Sequence, residues 1–364
     1  MTNFTKIILS AAAIASLNGC GGGSDSDPAP TPTPTPPSTS CITPSTVTLA
    51  GDLTGCTLLT ADKEWELDGL VVVTTGAELR IEAGTTIKGH DGTGDATSYL
   101  VVDKGAKIMA KGTAAKPIIF TSLDTSAKEV GQWGGVTIIG NAGNEQVQPY
   151  EVNTRFVAER TNMSDNSGVL KHVKILNSGI TMAEDKEING LSFVGVGSGT
   201  IVEDITIDYS DDDGVEIWGG TVNLTNVTIT HCTDDYFDID DGFSGTVKNL
   251  TITTTTGNAG IEMSGQTAAT FDGFTITTGA TQAKEGGIYF KKDGIGGHFK
   301  NGSVIHNGGQ VTAHGAIHSA GEATIANVSF ENVTLTSAAG LYFTGDSAAA
   351  LEAKFNTGTG NTKN

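Results

Sequence analysis

Ile205-Thr206-Ile207, Val227-Thr228-Ile229, Leu250-Thr251-Ile252 and Phe274-Thr275-Ile276 are one short strand written four times, at spacings of 22 to 24 residues, and Ser303-Val304-Ile305 and Val328-Ser329-Phe330 continue it. A second strand follows each copy: Val215-Glu216-Ile217, Phe237-Asp238-Ile239, Ile261-Glu262-Met263, Ile288-Tyr289-Phe290, Ile317-His318-Ser319 and Leu341-Tyr342-Phe343. Apolar, polar, apolar alternation in β-branched company is strand periodicity. Strands that recur at this length with no helix between them predict a parallel β-helix in which each repeat is one coil.

The residues just before the first strands are Asp204, Asn226, Asn249, Gly273, Gly302 and Asn327, types that tolerate a left-handed backbone at a corner. Upstream, Val71 to Val73, Leu79 to Ile81, Tyr99 to Val102, Ile118 to Phe120, Val136 to Ile139 and Val173 to Ile175 carry the pattern less regularly. The polar segment from Asn144 to Gly168 reads as a long lateral loop. The fold class is therefore all-β, a single-stranded right-handed parallel β-helix of about 11 to 13 coils.

Glycine supplies 49 of 364 residues and charged side chains only 17%, which argues against a helical bundle. With 41 acids against 21 bases the net charge is −20, so a phosphate backbone is repelled, and an anionic polymer needs a bridging cation. Nucleic acid is excluded as a partner, and a monomer is expected.

Residues 1–19 combine a short Lys6-bearing start with the apolar run Ile7 to Leu17, the pattern of an export signal. Residues 20–40 begin Cys-Gly-Gly-Gly-Ser and continue as a Pro/Thr tract, a tether that cannot bury a core. The folded domain is then 41–364. Cys41 and Cys56 are the nearby pair in an exported chain and are expected to form a disulfide, leaving Cys232 over.

If the flanking apolar residues of each second strand point inward, the middle residues Glu216, Asp238, Glu262, Tyr289, His318 and Tyr342 fall in one exposed column with neighbours about 4.8 Å apart. The adjacent column holds Trp218, Asp240, Ser264 and Lys291, and the preceding turns add Asp211, Asp212, Asp213, Asp234 and Asp235. Like charges this close either raise one another's pKa, as in general-acid sites, or gather a cation such as Ca2+. Asp213, Glu216, Asp234 and Asp235 are the candidate Ca2+ ligands. Trp218, Tyr289 and Tyr342 are candidate stacking platforms for sugar rings, beside Asp238, Asp240 and Glu262.

Leu17-Asn18-Gly19-Cys20 resembles a bacterial lipobox, which implies lipidation of Cys20 and an outer-membrane anchor, with the cell surface favoured. Gly131-Gln132-Trp133-Gly134-Gly135-Val136, together with the segments 210–223 and 233–245, is similar to a family of bacterial β-helix surface lipoproteins. That likeness implies a fold and a location, and no established reaction. Asp213-Gly214-Val215-Glu216-Ile217 followed by Asp234-Asp235 resembles the spacing of polygalacturonases, which implies Asp213, Asp234 and Asp235 as acid and base. The Gly-His-Gly element of those enzymes is replaced here by Gly257-Asn258-Ala259-Gly260, and of Arg-Ile-Lys only Lys291 is kept. A polysaccharide lyase would instead imply Ca2+ with Lys291 or Arg160 as base.

The expected function is thus a lipid-anchored surface protein that binds extracellular glycan or an envelope partner through an acidic and aromatic face, with Ca2+ as the only cofactor. The alternatives are a polysaccharide depolymerase, hydrolase or lyase, and a passive adhesin or spacer.

Overall fold

The computed structural model describes residues 40–364 apart from 125–127, 145–149, 185, 280–284, 293, 308–313 and 321–323; the signal, Cys20 and the Pro/Thr tether lie outside the described residues. From Ser40 onward the chain is a right-handed parallel β-helix with three sheets. One coil consists of a long strand bent once in its middle, a turn, a short strand and a second turn. The long strands Ile201–Ser210, Asn223–Cys232, Thr246–Thr254 and Ala268–Thr278 each supply sheet 1 before the bend and sheet 2 after it. The short strands Val215–Trp218, Phe237–Asp240, Ala259–Met263 and Gly286–Phe290 stack in sheet 3, which runs through eleven rungs from residues 51–53 to Phe343–Gly345.

The bends are where the sequence places them on four coils. Asp204, Asn226, Asn249 and Gly273 have φ of 57°, 57°, 53° and 77°. Asn and Asp reach this region at lower cost than other side chains, and their polar ends then stack. Asn226 Nδ2 donates to Asp204 Oδ1 at 2.8 Å and Asn249 Nδ2 donates to Asn226 Oδ1 at 2.9 Å.

On the last two coils the register differs from the expected one. Gly302 pairs with Phe274 and Val333, so the repeating strands are Gly302-Ser303-Val304 and Val333-Thr334-Leu335, and the bends fall at Asn301 and Asn332 rather than at Gly302 and Asn327. Space explains the first shift: a Cβ on Gly302 would stand 2.3 Å from Phe274 Cε1, so the phenyl ring of one coil occupies the place of the missing side chain in the next. Val328-Ser329-Phe330 belongs to the sheet 1 half of its strand, whose alternation is the same as that of the sheet 2 half. The final short strand slips likewise. Phe343-Thr344-Gly345, not Leu341-Tyr342-Phe343, pairs with Ile317-His318-Ser319.

The interior is apolar throughout. Val215, Phe237, Ile261 and Ile288 are fully buried and stack coil on coil, and Phe271, Phe299 and Phe330 continue the core as parallel rings 5.1 and 5.5 Å apart. The strand pattern does not anticipate the helix α1, Ala348–Thr357, which closes the upper end of the solenoid. It buries Leu351 and Phe355 against the last coils, with the Phe355 ring 5.6 Å from Phe330 and 5.4 Å from Phe343. At the lower end Cys41 and Cys56 are joined, 15 residues apart in sequence. Closing a loop of that length is worth about 3 kcal/mol in the unfolded-state model. Cys41→Ser should therefore lower the unfolding free energy by about that amount, seen as an earlier denaturation midpoint, and a midpoint equal to that of the native chain under oxidising conditions would show the bridge to be idle. Among the described residues no helix is long and apolar enough to cross a membrane.

Candidate active site

The outward residues of sheet 3 form one column in strict register: Val72, Val101, Thr137, Ser192, Glu216, Asp238, Glu262, Tyr289, His318 and Thr344. Its lower part, from Val72 to Ser192, carries no charge and is roofed. Tyr150, Val152, Phe156 and Ala158 from the lateral loop, together with the hairpin Ile180–Ala183 and Lys186–Ile188, pack over Val72, Tyr99, Val101, Ile139 and Val194 as a second hydrophobic cluster. The roof ends at Trp218, whose ring meets Tyr150 edge-on at 5.7 Å. There the column turns acidic.

Beside that step lies a cavity of about 540 Å³. Glu151, Thr181 and Glu187 form its roofed wall, Glu216 and Asp238 its floor, and Asp211, Asp212, Asp213, Asp234, Asp235 and Asn258 its turn side. Nine carboxylates thus meet one basic side chain, Lys291, among the described residues that line it. The column is not exposed as the alternation suggests: Glu216, Asp238 and Glu262 retain 8%, 7% and 1% of their surface. A strand pattern reports which way a side chain points, and it cannot report the loop and the neighbouring turns that rise around it.

The turn aspartates serve the fold with one oxygen each. Asp213 Oδ1 accepts the Asp235 N–H at 2.8 Å, and Asp235 Oδ1 accepts the Ala259 N–H at 2.5 Å, so each carboxylate splices its coil to the next. Asn189 donates its amide to Glu216 Oε2 and accepts the Asp213 N–H at 3.2 Å, and Asn258 donates to Asp234. One oxygen of Asp238 differs: Oδ1 is buried without a hydrogen bond.

Burial first, and then mutual repulsion, raises the pKa of this group of acids. Asp212 is pushed up to about 8 by desolvation and by Asp234 and Glu187, and Asp240 up to about 6 by desolvation and by Asp241 and Glu262. Asp213, Glu216, Asp235 and Asp238 are raised well above the carboxylate range for the same reasons. Burial works against the Lys291 ammonium, yet Glu262, Asp238 and Asp235 outweigh it and hold Lys291 above the ordinary lysine range. Its Nζ stands 2.6 Å from Glu262 Oε1.

Three sets of carboxylates bring one ligand atom each within 4.8 Å of the others: Asp212, Asp213 and Asp234; Asp213, Glu216 and Asp238; and Asp235, Asp238 and Glu262. Oxygens that share a Ca2+ at 2.3–2.6 Å lie at most about 5 Å apart, so each set has the spread of a cation site. The orphan oxygen of Asp238, a member of two sets, fits such an ion.

Of the candidate site residues, Asp213, Asp234, Asp235, Glu216, Asp238 and Lys291 line the cavity, with Glu262 ion-paired to Lys291 and Asp240 on the neighbouring rung. The aromatic platforms do not form. Trp218 is packed under Tyr150, and Tyr289 is 9% exposed beneath His318, stacked 5.4 Å away. Tyr342 is out of the column, packed against the core, and its hydroxyl donates to the Asn364 carbonyl at 2.7 Å. Arg160 lines a separate cavity of about 490 Å³ with Asp241 and Gln266, so it cannot serve as the base here. Glu151, Glu187 and Asn189 are additional site residues that sequence reasoning misses. Glu151 and Glu187 lie outside the repeat and carry no periodic signal, whereas Asn189 stands one coil before Asp213 and Asn258 one coil after Asp234, where the repeat points to them.

No curated protein matches the chain. A family profile described as a pectate-lyase like beta helix domain matches residues 51–364, from the first rung of sheet 3 onward, and so covers sheet 3, the roof and the acidic cavity alike. The chain belongs to the pectate-lyase like beta helix domain family.

Proposed function

We propose that the protein is a Ca2+-dependent depolymerase of an acidic polysaccharide. The observation that carries this reading is the cavity itself. Among the described residues it is lined by nine carboxylates and one ammonium, and two of its three triads of cation-site spread share Asp238, whose Oδ1 is unpartnered. Asp213, Glu216 and Asp238 would hold the ion, with Asn189 fixing Glu216 in place. Bound there, Ca2+ supplies the charge that admits a sugar carboxylate and acidifies the proton beside it, which favours elimination over hydrolysis. Among the described lining residues Lys291 alone is basic and turns a positive charge toward an anionic ligand, and the roof with Glu151 and Glu187 confines that ligand to the open side. An acidic cavity of this kind repels the same polymer when the cation is absent. Family membership supports a carbohydrate-active reading, and the packed positions of Trp218 and Tyr289 weaken the alternative of a binding face built on aromatic stacking.

Export and a lipid anchor at Cys20, read from the sequence, would set this activity outside the cell, where the Cys41–Cys56 bridge is at home. The test is a panel of uronic-acid polysaccharides incubated with the protein, with and without Ca2+, and followed by ultraviolet absorbance of the new carbon–carbon double bond. Turnover should require the cation, and Asp238→Asn should lower it roughly 100-fold. Saturated reducing ends would replace elimination by hydrolysis. Silence across the panel, with unchanged binding, would sink the enzymatic reading.

A further inference from the structure

We infer that Lys291 is a tethered counter-ion that keeps a second divalent-cation site closed, the site formed by Asp235, Asp238 and Glu262 one coil above the ion position proposed for Asp213, Glu216 and Asp238. The inference rests on the cation-binding reading of the cavity and adds to it a rule for how many ions the cavity takes.

The two triads are alike in their acids and share Asp238. In the upper one Asp235, Asp238 and Glu262 retain 4%, 7% and 1% of their surface, and one ligand atom of each lies within 4.8 Å of the others. The buried Oδ1 of Asp238 has no hydrogen-bond partner. What distinguishes the triads is the donor each one faces. Glu216 in the lower triad receives a neutral amide from Asn189, which leaves its charge uncompensated. Glu262 in the upper triad receives an ammonium, Lys291 Nζ at 2.6 Å.

Lys291 follows directly on the strand Gly286–Phe290, one rung beyond Glu262, and its side chain reaches back across that step. The ammonium brings one positive charge and three donors to a place where a divalent ion needs oxygen ligands, so it competes with the ion for Glu262 and repels it. With 44% of its side chain exposed, Lys291 stands at the mouth of the cavity rather than inside the core, so removing its charge opens the triad without opening the fold.

The experiment counts Ca2+ bound per chain by isothermal titration at neutral pH. Lys291→Met should take up one more ion than the native chain. Lys291→Arg, which keeps the positive charge, should match the native count, and Glu262→Gln combined with Lys291→Met should return to it. If the methionine variant folds only with the cation present, it is refolded in Ca2+ and the bound metal is measured after equilibrium dialysis. Equal, non-zero counts in the native and Lys291→Met chains would overturn this inference and leave the parent reading standing. A native chain that binds no Ca2+ at all overturns the parent reading as well.

Discussion

Ca2+ is expected to raise the thermal midpoint of the metal-free protein by about 4–6 °C near pH 8, and the gain to fade as the pH is lowered toward about 5. The sign follows from where the protons sit. In the unfolded chain the aspartates titrate near 3.8 and Glu285 near 4.5, whereas in the folded chain Asp240 is pushed up to about 6, Glu285 to about 7 and Asp212 to about 8, each by burial first and by neighbouring acids second. The folded state therefore binds more protons than the unfolded state across this interval, and stability without metal falls as the pH rises through it. A cation bound to the ionised cluster removes that penalty, because it stabilises the charged forms that burial disfavours. At the acid end the carboxyls are protonated and offer the ion little. Thermal melts at about pH 5, 6.5 and 8, with Ca2+ and with chelator, read both effects. A metal-free midpoint that rises with pH, or a Ca2+ gain of the same size at both extremes, would contradict the picture of a strained acid cluster.

Phe355→Ala is expected to cost about 3–5 kcal/mol, the largest loss from any single side chain discussed, and to spend it at one end of the molecule. The ring is 1% exposed and joins α1 to Phe330 and Phe343, so its removal leaves a void between the helix and the last coils. In a solenoid each coil touches only its neighbours, so a lost cap lets the array fray from that end. Hydrogen exchange should therefore accelerate in α1, in Phe343–Gly345 and in Thr362–Lys363, and spare the rungs around Val215–Trp218. Loss of protection spread evenly over all coils would mean that the solenoid opens as one unit.

The architecture was legible because it repeats. Val215, Phe237, Ile261 and Ile288 stack as their alternation requires, and the αL corners at Asp204, Asn226 and Asn249 are visible as residue types before any coordinate is known. Register failed where two halves of one strand share the same alternation, as at Val328 and Val333, and where a glycine stands in for a core residue, as at Gly302 above Phe274. The acids of the site were legible as a column. Their burial was not, since it depends on Glu151 and Tyr150 arriving from a loop with no period. The aromatic readings failed for the related reason that an outward direction on a strand does not guarantee an empty space in front of it. Helix α1 escaped because Ala348–Thr357 interrupts a strand pattern only once, at its end.

The carboxylates of Asp213 and Asp235 hold their neighbours' backbone as well as facing the cavity. Selection on chemistry and selection on foldability therefore act on the same atoms. At these positions drift has one inexpensive exit: asparagine keeps an oxygen for the N–H of the next coil while giving up the charge, whereas alanine forfeits both. The column Asn189, Asp213, Asp235 shows that exchange already present along one molecule, with the Asn189 oxygen accepting the Asp213 N–H as Asp213 accepts that of Asp235. A lineage could therefore lengthen, shorten or silence its acidic patch one coil at a time by trading acid for amide, and leave the winding of the chain untouched.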